Sequence, residues 1–116
     1  RRAQWLEIHN TLSSGVVDFT NFENALANAW QKQMHIFEVP FYYIEYGFAQ
    51  MGAISMWKNW EIDRDKALKG YQDFMKLGYT KTIPEIYEAA GIKFDFSDEY
   101  VEALADFMQL KLNQNR

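Results

Sequence analysis

Trp30-Gln31-Lys32-Gln33-Met34-His35-Ile36-Phe37-Glu38-Val39-Pro40-Phe41-Tyr42-Tyr43-Ile44-Glu45-Tyr46-Gly47-Phe48-Ala49-Gln50-Met51-Gly52-Ala53-Ile54-Ser55-Met56-Trp57 is the segment from which the architecture can be worked outward. Pro40 divides it. A proline suits the first turn of a helix, where its missing N–H would have no partner anyway. The pattern therefore predicts a long central helix over about 40–60, with His35 in the last turn of the helix before it. Within the central helix Phe41, Ile44, Phe48 and Met51 share one side at helical spacing, and Tyr42, Tyr46, Ala49 and Ala53 another. A helix apolar all round is enclosed by neighbours or lies in a membrane. A membrane span needs about 20 mostly apolar residues, and this run is shorter, with Glu45 and Gln50 inside it. The expectation is a soluble helix that its neighbours surround, or one with a face reserved for further polypeptide.

Outward from that helix, every segment reads as helical. Trp5, Ile8 and Leu12 recur at helical spacing over 2–13, closed by Ser13-Ser14-Gly15. His9 on this helix suits a surface or capping role. Thr20-Asn21-Phe22-Glu23 has the form of a capping box opening a second helix that runs to about 36. On it Phe22, Leu26, Ala29, Trp30 and Gln33 form a stripe. A histidine at its far end is favoured by the helix dipole, which is a structural reading for His35. Asp63 is the expected N-cap of a helix ending at Gly78, with Ala67, Tyr71, Phe74, Met75 and Leu77 inward. Thr82-Ile83-Pro84-Glu85 opens a short helix closed by Gly91. Ser97 opens the last helix, with Val101, Leu104, Ala105, Met108 and Leu112 inward and fraying from Asn113 to Arg116. No run alternates like a strand. The fold class expected is all-α, about six helices, in one helical unit over 1–116.

Composition narrows the function. Apolar residues make up 48% of the 116 and aromatics 17%, enough for one modest core. A net charge of −4 argues against nucleic acid, whose phosphates call for a basic patch. Without cysteine there is no thiolate metal site, disulfide or cysteine nucleophile. A zinc hydrolase needs His-Glu-x-x-His or another three-ligand set. His9 and His35 fall on separate helices and supply none, so no residue of this chain is expected to ligate a metal. No glycine-rich phosphate loop and no Gly-x-Ser-x-Gly turn is present. What remains is His35 with Tyr42, Tyr43 and Tyr46. Imidazole and phenol groups can donate to an oxyanion while uncharged, so together they could hold a carbonyl oxygen or a peptide backbone. The same tyrosines equally suit a buried core with satisfied hydroxyls. The residues alone stop at a helical domain with a polar-aromatic seam.

The words Trp30-Gln31-x-Gln33-x-His35-x-Phe37-x-x-Pro40-Phe41-Tyr42-Tyr43-Ile44-Glu45-Tyr46 and Ala49-Gln50-x-Gly52-Ala53 resemble the C-terminal catalytic segment of oligoendopeptidase F, of the thimet oligopeptidase family of zinc metallopeptidases. The resemblance continues through Trp57, the Tyr71 helix, Leu77-Gly78, Ile83-Pro84-Glu85-Ile86, Ala89-Ala90-Gly91 and Phe94-Asp95-Phe96-Ser97. It implies a larger helical catalytic domain, a cytoplasmic enzyme and short peptides as substrates. It also implies a zinc cofactor held upstream and metal-assisted attack of water on the peptide carbonyl. On this resemblance Tyr43 and Tyr46 match the tyrosines facing the scissile carbonyl, and His35 matches a substrate-binding histidine. Tyr42 accompanies His35, although its spacing to the histidine departs from thimet oligopeptidase itself.

The chain lacks the zinc motif, so the resemblance implies an inactive C-terminal piece whose partner is the upstream part of the same polypeptide. An exposed apolar face would favour self-association of such a piece. The rival is a non-catalytic helical module that grips a peptide or a partner helix with the same seam. A self-contained peptidase stands third, because the ligand set is missing.

Overall fold

The computed structural model describes residues 1–13 and 15–114. Among them there is no strand, and the chain is all-α. Seven α-helices follow one another: α1 Arg2–Ser13, α2 Glu23–Asn28, α3 His35–Glu38, α4 Glu45–Ile62, α5 Arg64–Leu77, α6 Ile83–Ala89 and α7 Asp98–Gln114. Two 3-10 turns, Ala29–Lys32 and Tyr42–Ile44, precede α3 and α4. Contacts group the chain into two compact units, Arg1–Tyr43 and Ile44–Arg116.

In the first unit α1 packs on α2, and the Trp5 indole Nε1 donates to the Leu26 carbonyl at 2.8 Å. His9 lies between aromatic neighbours, 6.0 Å from the Trp5 ring and 5.3 Å edge-on to Phe19. It is a packing histidine. The capping box expected at Thr20 does not form. The Thr20 amide and hydroxyl both donate to Asp18 Oδ1, and Glu23 Oε1 instead accepts from the Asn21 amide. Asp18 holds Thr20 in a local turn, Asn21 takes a φ of +68°, and the helix starts only at Glu23. The second helix also does not run to 36. It tightens to a 3-10 turn at Ala29 and stops at Gln33, whose ψ of 91° is extended. His35 therefore opens a new helical turn and does not close an old one.

The second unit follows its helix start and stop signals closely, but Tyr71, Met75, Val101, Ala105 and Leu112, expected inward, are exposed, because no neighbouring helix among the described residues covers those faces. Asp63 ends α4 and caps α5, its carboxylate accepting from the Lys66 amide at 3.0 Å, so a single extended residue joins the two helices. Gly78, at φ +53°, ends α5. In the capping box at Thr82 the Glu85 carboxylate accepts from the Thr82 hydroxyl at 2.7 Å and from the Thr82 amide at 2.9 Å, and these bonds hold its pKa below the usual range. α4 contacts α5 and α7, and α5 contacts α6. Gly70 permits the last approach, because a Cβ there would stand 2.7 Å from the Ala90 carbonyl oxygen. Ser97 stands just before α7, its carbonyl accepting from the Tyr100 and Val101 amides. Of the residues expected to fray, Asn113 and Gln114 are still helical in α7, and Asn115 and Arg116 lie outside the described residues, as does Ser14 of the first stop signal.

The central helix differs from expectation at its start. Val39, Pro40, Phe41 and Tyr42 form a β-turn, with the Tyr42 amide donating to the Val39 carbonyl at 3.1 Å and Phe41 at φ +66°. A left-handed residue cannot continue a right-handed helix. Helix α4 consequently begins at Glu45, after a 3-10 turn, and not at Pro40. Nor is it enclosed. Only Gly52 and Ser55 are buried on it, while Tyr46, Trp57, Trp60 and Ile62 are exposed. The described helices contain no segment long and apolar enough to cross a membrane.

The chain presents 9452 Å² of surface. A monomer of this mass ordinarily presents about 6,600 Å², and even two separate globules of the sizes of these units about 7,900 Å² together. Ile8, Leu12, Phe37, Phe41, Tyr46, Trp57 and Met75 are among the exposed large apolar side chains.

Candidate functional site

The Val39–Tyr42 turn organises the aromatic seam. It has the pattern of a type II turn, with proline at the second position and a positive φ at the third, where glycine is usual. By reversing the chain after α3 it returns Tyr42 and Tyr43 onto His35. The His35 and Tyr42 rings lie almost parallel, 5° apart at 6.4 Å between centroids. Tyr43 is tilted 39° to the imidazole at 5.5 Å. His35 is half-buried, whereas Tyr42 and Tyr43 keep 47% and 43% of their surface exposed. This is an accessible cluster of an imidazole and two phenols, not a sealed core.

Phe41, at the turn's third position, is 97% exposed. A left-handed backbone costs an L-residue about 1–2 kcal/mol, and burial of this ring returns nothing in the chain as it stands. Strain of this kind gathers at functional sites. Phe41→Gly should therefore raise the unfolding free energy by about 0.5–1 kcal/mol, strain relief being partly offset by the entropy of a glycine in the unfolded chain. A urea titration followed by tryptophan fluorescence measures it, and a lowered midpoint would show that the turn is not strained.

Tyr46 lies in the first turn of α4, in the second unit, and is 56% exposed. The structure thus brings His35, Tyr42 and Tyr43 together in one unit and places Tyr46 at the start of the other. Only Tyr46 of the three tyrosines is α-helical.

Sequence reasoning passed over a second aromatic group. In the second unit the Phe48 ring meets Phe96 at 4.4 Å and Phe94 at 5.7 Å, and Phe94 meets Tyr87 at 5.1 Å. The Tyr87 hydroxyl donates to the Phe48 carbonyl at 3.0 Å. Burial, with a smaller push from Tyr100, raises the Tyr87 pKa, so the phenol stays protonated and remains a donor. Further along α4 the Ser55 hydroxyl pairs with the Tyr100 hydroxyl at 2.8 Å, and Asn59 Nδ2 donates to the Gly91 carbonyl at 2.8 Å. Phe48, Gly52, Ser55 and Asn59 recur at four, three and four, which is one face of a helix. That spacing was available in the sequence, but two small residues and an asparagine carry no apolar signal.

Residues 2–106 match the family described as Peptidase family M3. The chain belongs to peptidase family M3. Comparison with curated proteins and with solved structures gives no significant match. Enzymes of the M3 family are zinc-dependent and take peptide substrates. Among the described residues no group of three histidine, cysteine or acidic side chains could hold a metal ion. The donor set present does not fit zinc. What this M3 chain offers is imidazole and phenol groups on an accessible surface, a chemistry suited to binding neutral or anionic oxygen.

Proposed function

We propose that this M3 chain is the C-terminal helical part of an oligoendopeptidase F-like enzyme that hydrolyses peptide bonds in short peptides, with cytoplasm as its compartment. In this reading His35 and Tyr42 bind the peptide, and Tyr43 and Tyr46 donate hydrogen bonds to the oxygen of the carbonyl under attack. The zinc ligands come from upstream polypeptide, and this part is inert without them. One observation carries the reading. Within an M3 sequence, the turn at Pro40-Phe41 sets two half-exposed tyrosines against His35.

The exposed apolar side chains support the same reading, because the face of α4 bearing Trp57 and Trp60 has the character of an interior. It would also make the isolated chain prone to self-association. Complementation tests the proposal. The purified chain should cleave no peptide, and the chain joined to an upstream segment bearing His-Glu-x-x-His should cleave short peptides in a zinc-dependent manner. Hydrolysis by the 116 residues alone that survives a chelator would overturn the division of labour.

A further inference from the structure

We infer that Tyr87 is a positioning residue for Tyr46: its hydroxyl, seated on Gly52 and bonded to the Phe48 carbonyl, fixes how the first turns of α4 are rotated. This rests on the reading of Tyr46 as a carbonyl-oxygen donor, and its test is separable from that reading. The phenol of Tyr87 crosses α4 from α6 through a notch that Gly52 leaves open. A Cβ at position 52 would stand 3.0 Å from the Tyr87 oxygen and 3.3 Å from its ring carbon Cζ. Through that notch the hydroxyl reaches back one turn to the Phe48 carbonyl at 3.0 Å. The Phe48 side chain is gripped by Phe96 and Phe94, and Phe94 stands edge-on to the Tyr87 ring, at 82°.

Backbone and side chain of Phe48 are therefore held by the same four-ring group. Tyr46 is two residues earlier, about 200° round the helix, so it is presented on the opposite side from the grip. Rolling α4 about its axis would carry the Tyr46 hydroxyl sideways. A displacement of about 1 Å at a reacting centre can cost about 10²-fold in rate. The ties at Ser55 and Asn59 lie two and three turns further along.

The test uses the chain with 3-fluorotyrosine at position 46, observed by fluorine NMR, together with amide hydrogen exchange along α4. Tyr87→Phe keeps the ring and removes the bond. It should shift or broaden the fluorine signal and speed exchange of the amides of residues 48–52 by about 2–10-fold, the factor expected for one lost hydrogen bond. The amides of residues 59–62 serve as the internal reference. Gly52→Ala, which keeps the phenol but crowds its oxygen with a Cβ at 3.0 Å, should move the same signal. Ser55→Ala, which cuts only the tie to Tyr100, should not.

An unmoved fluorine signal in both Tyr87→Phe and Gly52→Ala, or exchange that rises equally along all of α4, overturns the inference. If Tyr87→Phe does not fold, Gly52→Ala decides by the same readout. In the zinc-bearing enzyme Tyr87→Phe should lower kcat with KM little changed. Should Tyr46→Phe itself leave kcat unchanged, the donor role of Tyr46 fails while the fluorine result still reports the Tyr87 latch.

Discussion

Replacing Tyr46 by phenylalanine, in the enzyme formed when this chain is joined to its zinc-bearing segment, should lower kcat by about 10²–10³-fold, or about 3–4 kcal/mol in the barrier. Phenylalanine keeps the ring and removes only the hydroxyl. Tyr46 is 56% exposed on the first turn of α4, so little packing is lost and folding should be unaffected. The effect should fall on kcat more than on KM, because a donor aimed at developing negative charge contributes most in the transition state. Steady-state kinetics on a fluorogenic short peptide, with circular dichroism to verify the fold, measures it. An unchanged kcat would remove Tyr46 from the chemistry and leave it as surface. His35 makes a useful contrast. A residue that holds the peptide equally in ground and transition states should raise KM when replaced and leave kcat near its starting value.

The second large effect is on stability. Leu104→Ala should cost about 2–5 kcal/mol of unfolding free energy, the range for emptying a buried leucine site. Among the described residues of the unit Ile44–Arg116 only Leu104 and Ile86 are large apolar side chains exposed by 5% or less; the other buried apolar residues there are the alanines at 67 and 90. Leu104 is 4% exposed, on the helix that packs against α4. Ordinary domains have about 5–15 kcal/mol in total, and a unit with so few buried large residues belongs near the low end. The variant should therefore show a sharply lower urea midpoint or no cooperative transition. Leu110→Ala, at a position 55% exposed on the same helix, should change stability by about 0.5 kcal/mol or less. Equal effects at the two positions would mean that Leu104 is not a core residue.

The polar contacts of this unit complement that sparse core. The Ser55–Tyr100 pair and the Asn59 bond to the Gly91 carbonyl tie α4 to α7 and to the end of α6. Glu61 adds an ion pair with Lys111, and Trp57 stands edge-on to Phe107 at 5.1 Å. Such bonds contribute about 0.5–1.5 kcal/mol each, and they fix the register of the helices more than the depth of the fold. The exposed stripe of Trp57, Trp60, Leu68 and Tyr71 on α4 and α5 is where further polypeptide would add apolar burial.

The sequence by itself determined the all-α class, because apolar residues recurred at three and four in every segment and the stops were local. Asp63, Gly78, Thr82-Ile83-Pro84-Glu85 and Gly91 act through bonds and dihedrals a few residues long, and the helices they bound stand where those residues place them. It also carried the aromatic words around His35 that point to the M3 family.

Tertiary structure alone decided what depends on choices between competing local bonds or on distant partners. Thr20 turned to Asp18 and gave up its helix, and Phe41 took a left-handed backbone that put Pro40 in a turn and not at a helix start. No periodicity announces either, since a single φ decides which way the next residues go. Likewise the seat of Tyr87 on Gly52 joins residues far apart in the chain, and a glycine records only that something must pass close, not what.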